Sequence, residues 1–199
     1  MHIEGPNLTV ELIEFREQCI DQPSPTIQPS DNVEIREIRE QPGDDDKIIS
    51  PSIPYFEYNK NLAKPCDIHI NGMIMDPCNK YFVINLANTN GGGDPSGKKQ
   101  TIPIHISIRV DQSKIVRNSL IAGVWGEEET CLDGTTFPLT IGSIFEVIIQ
   151  NRYDSITVLI NGEKCFEYKH RHDPKTIDTI EINGSVRLDS IQYKFDKNF

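Results

Sequence analysis

The chain has 199 residues, 37% of them hydrophobic, and a formal net charge of −10. That length suits one ordinary domain with an appendage, and the apolar fraction fills one core rather than two. The acidic balance argues against a nucleic-acid partner, which needs clustered Lys and Arg, and against docking on anionic lipid.

The N-terminus, MHIEGPNLTVELIEFREQ, has no basic start and no apolar h-region, so it does not read as a signal peptide and implies cytosolic synthesis. No apolar run is long enough for membrane insertion. Residues 1–49 read as an N-terminal extension. They carry Gln22-Pro23-Ser24-Pro25, Gln41-Pro42-Gly43 and the acidic run Asp44-Asp45-Asp46. Two short apolar stretches, Leu8–Leu12 and Val33–Ile38, suit added strands, and the first equally suits the start of an amphipathic helix; a mobile acidic tail is the competing reading. The five cysteines, Cys19, Cys66, Cys78, Cys131 and Cys165, are odd in number and irregularly spaced, with no CxxC. They read as free thiols of a reducing compartment rather than a disulfide framework.

From residue 50 to 199 the punctuation is that of an all-β domain. Asn-Gly pairs at 71–72, 161–162 and 183–184 suit two-residue hairpin turns. The pair at 161–162 stands between Ile156–Ile160 and Cys165–Tyr168, both rich in β-branched or aromatic residues. Segments 81–86, 143–150 and 185–193 read as further strands, and no helical stripe competes. Many short strands at close spacing indicate a sandwich or jelly roll.

The most informative strand is Thr101–Val110. Ile102, Ile104, Ile106, Ile108 and Val110 alternate with Pro103, His105, Ser107 and Arg109. The second set forms a polar row on a sheet whose reverse side is core. After the turn 111–114 come Ile115-Val116-Arg117-Asn118, and then Trp125-Gly126-Glu127-Glu128, which holds the only tryptophan. The order His105-x-Ser107-x-Arg109, Val116-x-Asn118, Trp125-x-x-Glu128 resembles the galectin signature H-x-N-x-R, V-x-N, W-x-x-E-x-R. Phe82–Leu86, Phe137-Pro138, Phe145-Glu146-Val147 and Gly184–Leu188 are similar to the family's flanking strands. The resemblance covers about three quarters of the chain.

It implies a jelly-roll β-sandwich of two antiparallel sheets, galectin- or concanavalin-like, with a shallow groove for β-galactoside glycans. Galactose has an axial 4-hydroxyl and exposes a C–H patch on one face. By resemblance the Trp125 indole lies under that patch. His105 and Arg109 bond the axial hydroxyl and ring oxygen, Asn118 and Glu128 take the 6-hydroxyl, and Glu128 orients Arg109. Inverting the 4-hydroxyl leaves these groups unpaired, which is how such a site discriminates. The resemblance further implies partners that are galactoside glycoconjugates, a homodimer as an open option, and export by an unconventional route.

Two positions depart from the signature. Ser107 stands for the family's Asn and reaches less far; Thr130 stands where the family has an Arg that helps hold the second sugar. The loop between Leu86 and Ile102 is expanded, and Glu129–Thr136 is slightly longer than usual. An altered or weaker site is therefore expected, with a decayed site serving protein interaction as the alternative.

Rival motifs are poorer fits. Gly92-x-x-x-x-Gly97-Lys98 approaches a phosphate loop but continues with Lys99 and joins two strands. His170-Arg171-His172 places two imidazoles on one face if extended, yet only Asp173 is near as a third ligand, and a solvated strand end explains the segment as well. No cofactor or metal is called for. Glycoside hydrolysis needs two carboxyl groups flanking the bond, and only Glu128 is assignable to the groove, so the chain reads as non-catalytic.

Overall fold

The computed structural model describes residues 47–196 apart from 59, 77–80, 90–100, 131 and 135. The stretches Leu8–Leu12 and Val33–Ile38, the near-phosphate-loop at 92–98, most of the expanded loop, and Cys19, Cys78 and Cys131 lie outside the described residues. No helix among the described residues is long and apolar enough to cross a membrane.

Two antiparallel six-stranded sheets make up the fold. In one, the order is β1 (Lys47–Ile49), β12 (Val186–Phe195), β3 (Cys66–Ile74), β8 (Ile144–Asn151), β9 (Ser155–Ile160) and β10 (Glu163–Lys169). In the other it is β2 (Tyr55–Glu57), β11 (Thr179–Gly184), β4 (Tyr81–Asn88), β5 (Thr101–Arg109), β6 (Lys114–Ile121) and β7 (Val124–Trp125). The expected jelly-roll sandwich is thus the observed fold. Strand β1 falls just ahead of residue 50 and pairs with β12 through Ile48 and Ile191.

Strict alternation builds the core. In β3 every second residue is buried from Cys66 to Ile74. Ile68, Ile70, Ile84, Ile104, Ile106, Ile108, Val147, Ile149, Ile156 and Val158 are all fully buried. These β-branched side chains are stiff at χ1 and pack well on a pleated surface, so strand preference and core filling coincide. Each full burial stabilises the fold by about 1.5–3 kcal/mol. At one end Glu57 ties the two sheets together. Its carboxylate accepts from the Tyr55 hydroxyl and, at 2.8 Å, from the Tyr193 hydroxyl of β12, and its other oxygen pairs with Lys60 at 2.9 Å.

Three local expectations change. Asn161-Gly162 is the predicted hairpin turn, with φ of 52° and 85°. Asn71-Gly72 lies inside β3 instead. An added Cβ at Gly72 would stand 2.3 Å from the Arg187 carbonyl oxygen, so this glycine serves a close approach beside the β12 bulge at Leu188/Ser190. Asn183-Gly184 ends β11 and leads into β12 of the opposite sheet, so it is a crossover and not a hairpin.

The third change concerns β5. Ile104, Ile106 and Ile108 do join the core and part-buried Val110 packs against it, although Val110 already begins a 3-10 turn, Val110–Gln112. Ile102 packs with Ala87 and Leu120 in a separate small cluster. The cause is a register shift against β6 between Ile102 and His105, matched by one against β4. One extra residue in β5 reverses the side-chain alternation beyond it and moves Ile102 to the outer face.

Candidate carbohydrate-binding site

The outer face of the second sheet carries the residues singled out from the sequence. Ladder register aligns them in rows across the strands. One row runs Phe56 on β2, Glu181 on β11, Asn85 on β4, His105 on β5 and Asn118 on β6. The next is Asn183, Val83, Ser107 and Val116, and a third sets Tyr81 beside Arg109 and Lys114.

The first row is a hydrogen-bond relay. Asn85 Nδ2 donates to Glu181 Oε2 at 3.0 Å, which turns Asn85 Oδ1 toward His105 Nδ1 at 2.7 Å. A carbonyl oxygen only accepts, so Nδ1 carries the proton and Nε2 is left as an acceptor. Burial, and then the charge of Arg109, lower the His105 pKa to about 4, which keeps the ring neutral. Neither Asn85 nor Glu181 was among the residues expected in the site. Asn85 lies in the quoted segment Phe82–Leu86, on the outward alternation. Glu181 is 96 positions from Asn85 and has no local signal.

Trp125 arrives through the turn Ala122-Gly123, whose φ values of 50° and 77° suit a two-residue hairpin between β6 and β7. The residue is 47% exposed, and its ring lies at 4.9 Å and 64° from the His105 ring. It pairs in register with Leu120, so the Ala87–Ile102–Leu120 cluster forms an apolar floor beside it. Arg109 lies 3.7 Å from Glu128, the pairing expected of them.

The remaining residues are less accessible. Ser107 is 3% and Asn118 4% exposed. Ser107 is flanked in register by Val83 and by Val116, itself buried. Asn118 is bonded within the protein: Nδ2 donates to the Gly126 carbonyl at 3.0 Å, and Oδ1 accepts from Ser119 N and from Arg171. Thr130 sits part-buried, one residue beyond the bridge between Arg117 and Glu129. Arg171, which the sequence offered only as the middle of a His-Arg-His triplet, reaches this site from the loop after β10.

In that triplet His170 Nε2 lies 2.8 Å from the Arg152 carbonyl oxygen, and among the described residues no three His, Cys, Asp or Glu side chains converge on a cation site. Together, an exposed indole, a neutral imidazole acceptor and a guanidinium braced by a carboxylate can hold a polyol with one apolar face; a second carboxylate, Glu181, stands across the face from Glu128.

Comparison with known proteins identifies the family and the fold. Residues 55–193 match the family model described as galactoside-binding lectin. The chain is 34% identical to rat galectin-8 over 133 residues, 64% of this chain and 41% of that protein. It is 34% identical to human galectin-4 over 146 residues, 72% of this chain and 42% of that protein. It therefore spans about two fifths of the length of these curated relatives. Among solved structures, Caenorhabditis elegans galectin LEC-6 superposes with a TM-score of 0.62 at 19% identity, covering 74% of this chain and 95% of that one. Sheep galectin-11 superposes with a TM-score of 0.61 at 19% identity, covering 72% and 99%. The family match spans more than half of the chain and includes every strand of the candidate site, so this protein belongs to the galactoside-binding lectin, or galectin, family.

Proposed function

We propose that the outer face of the second sheet binds β-galactoside-containing glycans without a metal ion, with a specificity altered by Ser107 and Thr130. The observation that carries this reading is the pairing of Trp125, 47% exposed, with His105, whose acceptor nitrogen is set by the Asn85–Glu181 relay. The indole covers the C–H face of galactose while Nε2 of His105 accepts from the axial 4-hydroxyl. Arg109 donates to that hydroxyl and the ring oxygen, and the amide of Asn118 and Glu128 meet the 6-hydroxyl.

The test is calorimetry with lactose and a broader glycan panel, with and without EDTA. We expect millimolar to micromolar affinity, about 4–8 kcal/mol, and no effect of chelation. Loss of binding on chelation overturns the metal-independent reading.

A second reading, a protein-interaction module with a decayed sugar site, draws on the near-complete burial of Ser107 and Asn118. No binding across the panel, with Trp125 fluorescence unmoved by any glycan, decides for it. Cytosolic synthesis with export outside the secretory pathway is the localisation we infer from the family. Self-association through a sheet edge belongs to the same reading, and a monomer at every concentration in sedimentation velocity overturns it.

A further inference from the structure

Arg171 follows β10, in the first sheet, yet its guanidinium lies among residues of the second. One terminal nitrogen donates to Asn118 Oδ1 at 3.2 Å and to the Glu127 carbonyl at 2.7 Å. The other meets Glu129 Oε1 at 2.5 Å. The guanidinium lies 5.0 Å from the centre of the Tyr168 ring, a cation–π contact that holds it in place. A planar fork with donors in fixed directions can serve three acceptors at once; an ammonium cannot match that geometry.

These bonds converge on the segment that follows Trp125. The backbone there is otherwise tied to β6 by Gly126 N to the Ser119 carbonyl and by the paired bonds between Arg117 and Glu129. Arg171 adds a tie to Glu127, between those two. Arg117, stacked over Phe166 at 4.6 Å, meets the same Glu129 carboxylate from the core side at 3.8 Å. Glu129 is thus gripped by two guanidinium groups, one from β6 and one from the loop after β10. Gly126 is packed so closely that an added Cβ would stand 2.8 Å from the Arg171 nitrogen.

The effect on Asn118 is specific. Its Oδ1 has two lone pairs, filled by Ser119 N–H and by Arg171. Its Nδ2 spends one hydrogen on the Gly126 carbonyl. A flipped amide would face two donors with its NH2 and a carbonyl with its oxygen. The amide is therefore held in one orientation, with one N–H left for a ligand. We propose that Arg171 is a positioning residue of the sugar site: it locks the Trp125–Glu129 segment and holds the Asn118 amide with its donor available to the sugar's 6-hydroxyl. The proposal rests on reading this face as a galactoside site. It makes affinity depend on a side chain from the loop after β10, in a chain that has Thr130 where the signature has arginine.

The experiment compares the full chain with Arg171→Ala, Arg171→Lys and, as control, Arg187→Ala, whose side chain is exposed and bonded to Asp189. Calorimetry measures lactose and a lactose analogue deoxygenated at the galactose 6-position. Arg171→Ala should weaken lactose about tenfold, the loss of roughly one oriented hydrogen bond with some loop order. The 6-deoxy analogue should weaken much less, so its handicap relative to lactose shrinks. Arg171→Lys should fall between, and the control should not change. Equal weakening of both sugars, or unchanged lactose affinity, overturns the proposal. Should the unaltered chain bind neither sugar, the site reading has failed, and the positioning role is read from acrylamide quenching of Trp125, the only tryptophan. Quenching that rises in Arg171→Ala but not in Arg187→Ala then supports the lock, and equal quenching in both overturns it.

Discussion

Asn85 Oδ1 sits 2.7 Å from His105 Nδ1 and fixes which ring nitrogen of the imidazole can accept a hydrogen bond from a ligand. The amide is itself oriented by Glu181, which can only accept while ionised. Replacing Asn85 with Ala frees the ring to adopt either tautomer and leaves a buried nitrogen without its partner. Lactose affinity should fall about tenfold, which corresponds to about 1.4 kcal/mol, with circular dichroism unchanged. Calorimetry measures it; full affinity in Asn85→Ala means that the tautomer does not matter.

The same histidine sets a pH response. Its folded-state pKa is lowered to about 4, first by burial and then by Arg109, from an ordinary value of 6.5. Between pH 6.5 and 4 the unfolded chain binds more protons at this position than the folded one, so His105 makes stability decline as pH falls through that window and adds no further loss below it. Sugar binding should hold level from pH 7 to about 5 and drop as the ring is protonated near pH 4. A lactose titration series over that range is the measurement. A midpoint near 6.5 places His105 in water and contradicts the burial.

Trp125 lies on a two-residue edge strand, 47% exposed. Trp125→Ala should abolish measurable lactose binding while shifting the denaturation midpoint by about 1 kcal/mol or less, as a surface change does. A loss of 3–5 kcal/mol, typical of a buried aromatic, makes it a core residue and displaces the groove.

Ser107 is 3% exposed, in register with Val83 and Val116. The longer arm of Ser107→Asn should reach further and replace a water-bridged contact with a direct one, tightening lactosamine binding several-fold. Thr130→Arg should bring a charged donor toward the second sugar, with a gain at the low end of about 1.5–3 kcal/mol in so open a groove. Titration of both single variants and the double variant decides. No gain in any of them means that these departures do not set specificity.

A chain starting at residue 47 should fold as the lectin unit, since β1 begins there and pairs with β12. Its thermal transition should remain cooperative. An unfolded product moves the domain boundary into residues 1–46.

Much of this molecule was legible in the order of its residues. Alternation of period two, β-branched runs and the Asn161-Gly162 turn prescribe strands and a sandwich, because backbone pleat and solvent exposure act on near neighbours. Alternation within β5 puts His105 and Arg109 on one face for the same reason, whereas grouping Asn118, Trp125 and Glu128 with them followed from the resemblance to the galectin signature. Contacts between distant strands were decided only by the tertiary structure. A bulge in β5 turned Ile102 outward, and close approach of β12 used Gly72 in mid-strand where a turn was expected. Glu181 reached Asn85 from 96 positions away and Arg171 reached Asn118 from 53, through register and crossover that no local pattern records. Accessibility was also a tertiary outcome: Ser107 and Asn118 belong to the outer face by alternation, yet they are 3% and 4% exposed, and a bond to the Trp125 segment holds the Asn118 amide.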